Sequence, residues 1–161
     1  MNDKQNFHDI ATTAARVATG TTFAILGAHN INLPADVTPA VKKAGIPHAW
    51  SIVQAHGAAL IAGGIALAAG KGTAPVGYAL AATMVPTTAV GHPYWKLEKH
   101  DPDYNVERAH FWKNVAMTGA AVSIAAGAGR ASTRERSKGE KIAHAIEEKV
   151  AWFPWPEGLT A

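Results

Sequence analysis

The sequence predicts an all-α protein, a four-helix transmembrane bundle with a short amphipathic C-terminal tail helix. The first observation is where charge is missing. Counting only Asp, Glu, Lys and Arg, 19 uncharged residues separate Arg16 from Asp36, 27 separate Lys43 from Lys71, 24 separate Lys71 from Lys96 and 16 separate Lys113 from Arg130. A helix that crosses a bilayer needs about 20 mostly apolar residues, so four gaps of that order separated by charged clusters read as four spans. The second observation is the 34 Ala and 15 Gly. They hold the mean hydropathy to −0.01, a value that resembles a soluble protein's, yet small residues are the ones that let helix backbones approach closely in lipid. The third is that residues 55–70 and 72–94 carry no charged face, whereas a soluble four-helix bundle repeats charge every three or four positions on its outer surface.

The elements follow in order. Residues 1–9 form a polar lead, and the membrane domain is expected over 10–130. The first span runs from about Ile10 to Ala28; with Arg16 set directly against its apolar stretch and three more spans behind it, it reads as a retained helix, not a cleaved leader. Residues 29–47 contain Pro34, Pro39 and Pro47 and read as a connecting loop. The second span covers about His48–Ala69 and the Gly70-Lys71-Gly72 turn leads to the third, Thr73–Val90. Pro75 fits the first turn of that helix, and Pro86 marks a kink near its end. A charged aromatic loop over 91–105 precedes the fourth span, Val106–Ala128. The tail, 131–161, begins basic and polar. Its stretch 141–151 predicts a short amphipathic helix with Ile142, Ile146 and Val150 on one stripe. Trp152, Phe153 and Trp155 then suit a membrane surface or a partner.

Small residues recur four apart, at Gly20, Ala24 and Ala28, at Ala58, Ala62, Ala66 and Gly70, and at Gly119, Ser123 and Gly127. These rows are the expected helix-packing faces. Trp50, Tyr94, Trp95 and Trp112 fall near the span boundaries, as an aromatic belt does. Four spans bring both termini to one side. That side holds nine Lys and Arg against six on the other, which places the termini in the cytoplasm by the positive-inside rule.

Composition also excludes chemistry. With no Cys there is no disulfide, thiol nucleophile, Cys-bound metal or covalent haem attachment of the Cys type. The net charge of +3 comes without a basic stripe of the nucleic-acid-binding kind. No His pair has the spacing of a metal motif, and no metal is expected.

The segment from Met84 to Gly119 reads MVPTTAVGHPYWKLEKHDPDYNVERAHFWKNVAMTG. It resembles the actinobacterial branch of the DoxX family, in which a pattern of Val-Pro-Thr-Thr, Gly-His, an aromatic pair, Asp-Pro and then Arg, His-Phe and Lys-Asn joins the third and fourth spans. Here Tyr94 stands where Phe is usual and Ala120 replaces a second Gly. Arg16, Phe23 and Gly27 fit the family's first helix, and Gln54–Lys71 its second. The resemblance covers about 14–130 and leaves the tail outside. It implies a four-helix integral membrane protein of the cell membrane. It also implies a neighbourhood, that of terminal quinol oxidase and thiosulfate:quinone oxidoreductase systems, with other membrane subunits of such complexes as partners. It supplies no catalytic residues.

Within that setting, helix topology groups His29, His48, His92, His100 and His110 at the end opposite the termini. His110 and Asn114 share a helix face at i and i+4, flanked by Arg108 and Lys113. Imidazole, amide and cation together suit a quinone carbonyl, whose oxygens accept hydrogen bonds. The same residues also suit a cap on the bundle, bonded to Asp101, Asp103 or the His92–Trp95 loop. His92, Trp95, Arg108, His110 and Asn114 are therefore the candidate quinone or lipid contacts, with menaquinone or phospholipid the expected non-covalent ligand. Arg16 and His56 are ionisable groups within or against spans, where such groups face a partner or cavity. Arg16 is expected to snorkel to the interface. His56 is either functional or hydrogen-bonded to Thr87 or Thr88.

The leading expectation is a noncatalytic accessory membrane subunit of a respiratory-chain complex, such as a cytochrome bcc–oxidase supercomplex. The alternative is a quinone-reactive subunit of a DoxX-type oxidoreductase. A small transporter ranks last, because neither an inverted repeat nor an acidic midplane residue is evident.

Overall fold

The computed structural model describes residues 3–151. Trp152, Phe153 and Trp155 lie outside the described residues, as do the side chains of Ile146 and Val150. Among the described residues every regular element is helical: α1 (Asp3–Asn32), α2 (Pro34–Lys43), α3 (Ala49–Ala68), α4 (Thr73–Gly91), one 3-10 turn (Tyr94–Lys96) and α5 (Tyr104–Ala151). The four expected spans correspond to α1, α3, α4 and the first half of α5. The chain forms two compact units, one to Gly127 and one from Ala128.

Three elements differ from expectation. α1 starts at Asp3, not Ile10. No Pro or Gly interrupts the polar lead, Asp3 sits favourably in the first turn, and Gln5 bonds Asp9 one turn on at 3.2 Å. The loop over 29–47 contains a helix. Pro34 takes the first helical position, where its missing N–H is no loss, Asp36 lies in the first turn, and Lys42 and Lys43 occupy the last. In place of a basic segment and a separate tail helix, the backbone from Tyr104 to Ala151 is helical throughout, because no proline falls between 103 and 153.

The Gly70-Lys71-Gly72 turn has a definite mechanism. Gly70 adopts φ +74°, a left-handed conformation costly for residues with a Cβ. This lets Gly70 N–H bond Leu67 O at 3.0 Å and Lys71 N–H bond Ala66 O at 2.9 Å, the paired closure of a Schellman C-cap. The guanidinium of Arg16 lies against Gly70. There its charge meets the negative end of α3, although its Nε is buried with no hydrogen-bond partner among the described residues.

The core of the first unit joins all four long helices through Phe23 of α1, Leu60 and Leu67 of α3, Leu80, Ala81 and Met84 of α4 and Ala121 of α5. The α1–α3 contact is the tightest. Gly20 faces Gly64 and Gly27 faces Gly57, so closely that a Cβ on any of the four would strike facing backbone. Gly77 of α4 similarly lies against Ala121 O and Ala125 Cβ, with 2.9 Å from an added Cβ to each.

Of the expected packing rows, Gly20 is in contact, whereas Ala58, Ala62, Gly119, Ser123 and Gly127 are exposed. A Cβ at Gly119 or Gly127 would meet nothing within 4 Å. The reason is angular. α3 turns Val53, Gly57, Leu60, Gly64 and Leu67 inward, and α5 turns Asn114, Ala121 and Ala125 inward. A residue two positions further along lies about 200° round the helix, so Ser123 and Gly127 point away from the buried pair.

α3 is the one helix among the described residues that is long and apolar enough to cross a membrane by length and composition. Large apolar side chains also stand exposed on α1 (Ile25), α3 (Ile65), α4 (Val85) and α5 (Val115, Val122).

Candidate functional site

At one end of the first unit a cavity of about 670 Å³ opens between the last turns of α1, α2, the first half of α3, the second half of α4 and the start of α5. That volume lies within the range of small-molecule pockets, roughly 300–1,000 Å³. Leu26, Val53, Leu60 and Met84 give it apolar walls, and α2 adds Val37, Ala40 and Val41. The polar lining consists of His29 with Asp36 at 3.7 Å, Asn30, His56, Thr83, Thr87, His92, Glu107, His110, Lys113 and Asn114.

Two hydrogen-bonded sets organise these groups. In the first, Asn30 Nδ2 lies 3.2 Å from His56 Nδ1 and Thr87 Oγ1 lies 3.3 Å from His56 Nε2. Thr87 donates its own hydroxyl proton to Thr83 O at 2.7 Å. Its oxygen must then accept from His56 Nε2–H, which leaves Nδ1 to accept from the Asn30 amide. His56 is thereby the Nε2–H tautomer with both nitrogens occupied, a strut joining α1, α3 and α4.

The second set lies at the start of α5. His92 Nδ1–H donates to Glu107 Oε2 at 2.8 Å. The His92 ring stacks on that of His110, with centroids 5.0 Å apart and planes 15° apart. Lys113 Nζ donates to His110 Nδ1 at 3.0 Å, so the His110 proton resides on Nε2, which remains a free donor.

Asn114 completes the site. It is 3% exposed and lines the cavity. Its main-chain oxygen accepts from Thr118, but its carboxamide has no partner among the described residues. It is not a sealed orphan, since Arg16 Nε is the one fully buried unpartnered side-chain atom among the described residues; the carboxamide borders the open space of the cavity.

The structure places the other expected residues differently. Trp95 is 53% exposed and packs edge-on to Tyr94 and Phe111, outside the cavity. Arg108 lies over the Tyr104 ring at 5.6 Å, also outside it. Arg16 is at the opposite end. His48 begins α3 in a left-handed conformation, φ 53°, and His100 pairs with Glu98 at 3.1 Å on the surface. Asp101 accepts from Asp103 N–H at 2.8 Å, at the turn into α5, and bonds neither His110 nor Asn114. Glu107 and Asn30 were not singled out from sequence. The available signals were the i, i+3 spacing of Glu107 and His110, and Asn30 following His29 at the histidine-bearing end of α1. Among the described residues no three His, Asp or Glu converge as a metal ion requires.

The model of the DoxX family matches residues 11–93, half of the chain. The chain belongs to the DoxX family. Membership suggests a membrane protein, in keeping with the apolar α3. The match spans the first-unit helices up to and including His92, so that the α5 share of the cavity, Glu107, His110, Lys113 and Asn114, lies beyond it. No curated protein and no solved structure shows a significant match to this DoxX chain.

Proposed function

We propose that this DoxX chain is a four-span membrane subunit of a respiratory or oxidoreductase complex that holds a menaquinone-type quinone head group in the cavity. The Asn114 carboxamide and the His110 Nε2–H, both at the cavity wall and without a hydrogen-bond partner among the described residues, carry this reading. A quinone is a flat apolar ring with carbonyl acceptors, and an apolar pocket with a few convergent donors suits such a ligand. Exposed large apolar side chains on α1, α4 and α5 support spans beyond α3, since such side chains are accommodated by lipid. In this arrangement residues 10–130 are the membrane domain and the termini are cytoplasmic. The chain packs laterally against other subunits, and the exposed row Gly119, Ser123 and Gly127 suits a close helix contact.

One observation favours a more active role. Quinone reduction consumes protons as well as electrons. The Glu107–His92–His110 array places a carboxylate and two imidazoles in succession beside the cavity, and imidazole takes up and releases protons near neutral pH. In that second reading the electrons come from a redox partner subunit and this chain handles the protons.

The test is direct binding. The full chain in menaquinone-containing lipid discs should retain quinone after washing, measured by solvent extraction and chromatography. Asn114→Leu and His110→Leu should each weaken retention about tenfold, the value of one well-placed hydrogen bond in a desolvated site, with helical content unchanged. Phospholipid alone in the extract, or full quinone retention in both variants, would reject the reading.

A further inference from the structure

We propose that the second unit carries a docking surface for anionic phospholipid, formed by Arg130, Arg134, Lys138 and Lys141. The spacings of four, four and three residues bring these side chains within about 80° of one another on a helix turning 100° per residue. Every side chain from Arg130 to Ala145 is exposed, so the stripe is unobstructed within its own unit. The fifth cation of the segment, Arg136, lies on the other side of the helix and is paired with Glu140 at 3.6 Å. The four stripe cations make no ion pair among the described residues. Between 130 and 141 no carboxylate lies on the stripe, Glu135 and Glu140 falling about 60° or more outside it, and the one paired cation, Arg136, is the one off it.

The chemistry beside the stripe selects the occupant. Ala131, Ile142 and Ala145 border it, and Ile142 is 61% exposed. Cations beside apolar residues suit an anionic lipid surface, where the stems of Arg and Lys cover apolar area and their heads meet phosphate. The stripe also begins directly after the uncharged stretch 114–129, and a polybasic segment adjoining a membrane span is drawn to anionic lipid. The proposal rests on the chain being a membrane protein with a span over that stretch, and is independent of quinone binding.

Hydrogen exchange of the full chain in lipid discs tests it. Discs of phosphatidylcholine alone are compared with discs in which three lipids in ten are phosphatidylglycerol. Amides of 130–141 should exchange about tenfold more slowly in the anionic discs, and 0.5 M salt should abolish the difference. The variant Arg130→Glu, Arg134→Glu, Lys138→Glu, Lys141→Glu should show no difference between discs, whereas Arg136→Glu should retain it. Equal exchange in both discs, or protection surviving in the fourfold variant, overturns the proposal. Protection that appears only when a membrane extract containing protein is added also overturns it, since the stripe then faces a protein. Strong protection of Ala49–Ala68 in both discs reports the membrane reading separately, so failure of the stripe and failure of the spans give different patterns.

Discussion

Gly27→Ala and Gly57→Ala should each destabilise the first unit by about 3 kcal/mol, while the same substitution at Gly119 should leave stability unchanged or raise it by up to about 1 kcal/mol. A methyl group at Gly57 would sit 2.7 Å from Gly27 O and 3.0 Å from the Asn30 and Ile31 side chains. Backbone carbonyls of a packed helix cannot yield as a flexible side chain can, so α1 and α3 must separate along their length. The core that depends on that distance, Phe23 against Leu60 and Leu67, would loosen with them. At Gly119 the added methyl meets nothing within 4 Å, and only the helix propensity of alanine is gained. Thermal midpoints in detergent check the contrast, with a fall of several degrees expected for the first pair. Equal effects at Gly57 and Gly119 would show that the α1–α3 seam does not have this geometry.

His56→Leu should cost about 2 kcal/mol, mainly because the Asn30 amide loses its acceptor and is left in a largely buried position. Asn30 is 8% exposed. Thr87 suffers less, as its hydroxyl still donates to Thr83 O. The double variant His56→Leu, Asn30→Leu should then be less destabilised than the sum of the two single changes, because removing both partners leaves no orphaned donor. A strictly additive cycle, read from chemical or thermal unfolding in detergent, would mean that the two residues do not form the strut. The cycle also separates stability from ligand binding: His56 has both nitrogens engaged, so its loss should weaken quinone retention only through the fold, unlike loss of Asn114.

Much of the fold was legible because the signals were one-dimensional. The α3 and α4 boundaries follow from the span of uncharged residues and from the Gly70-Lys71-Gly72 turn. Their observed limits, Ala49–Ala68 and Thr73–Gly91, lie within a residue of the expected ones. α2 escaped notice because proline reads as a breaker, yet at the first helical position it costs nothing. The expected packing rows include Gly20 but otherwise name mostly exposed faces, for a different reason. The seven-residue spacings Gly20–Gly27 and Gly57–Gly64 were present, but in an Ala-rich chain four-residue rows of small residues occur on several faces. Only the neighbour that each face meets tells them apart.

The candidate site divides in the same way. His92, His110 and Asn114 were identifiable from residue type and i, i+4 spacing, and all three line the cavity. Trp95 and Arg108 have equally suitable chemistry, but aromatic packing on Phe111 and Tyr104 holds them outside it. By itself, the sequence determined that the chain is helical, that three of its four long uncharged stretches reach membrane-crossing length, and that five of its eight histidines fall at one end of the helices, because charge spacing and helix length are properties of the chain alone. Only the tertiary structure decided which glycines form the seam, which histidine is a saturated strut and which amide is left open. Those depend on what approaches across a few ångströms from residues distant in sequence.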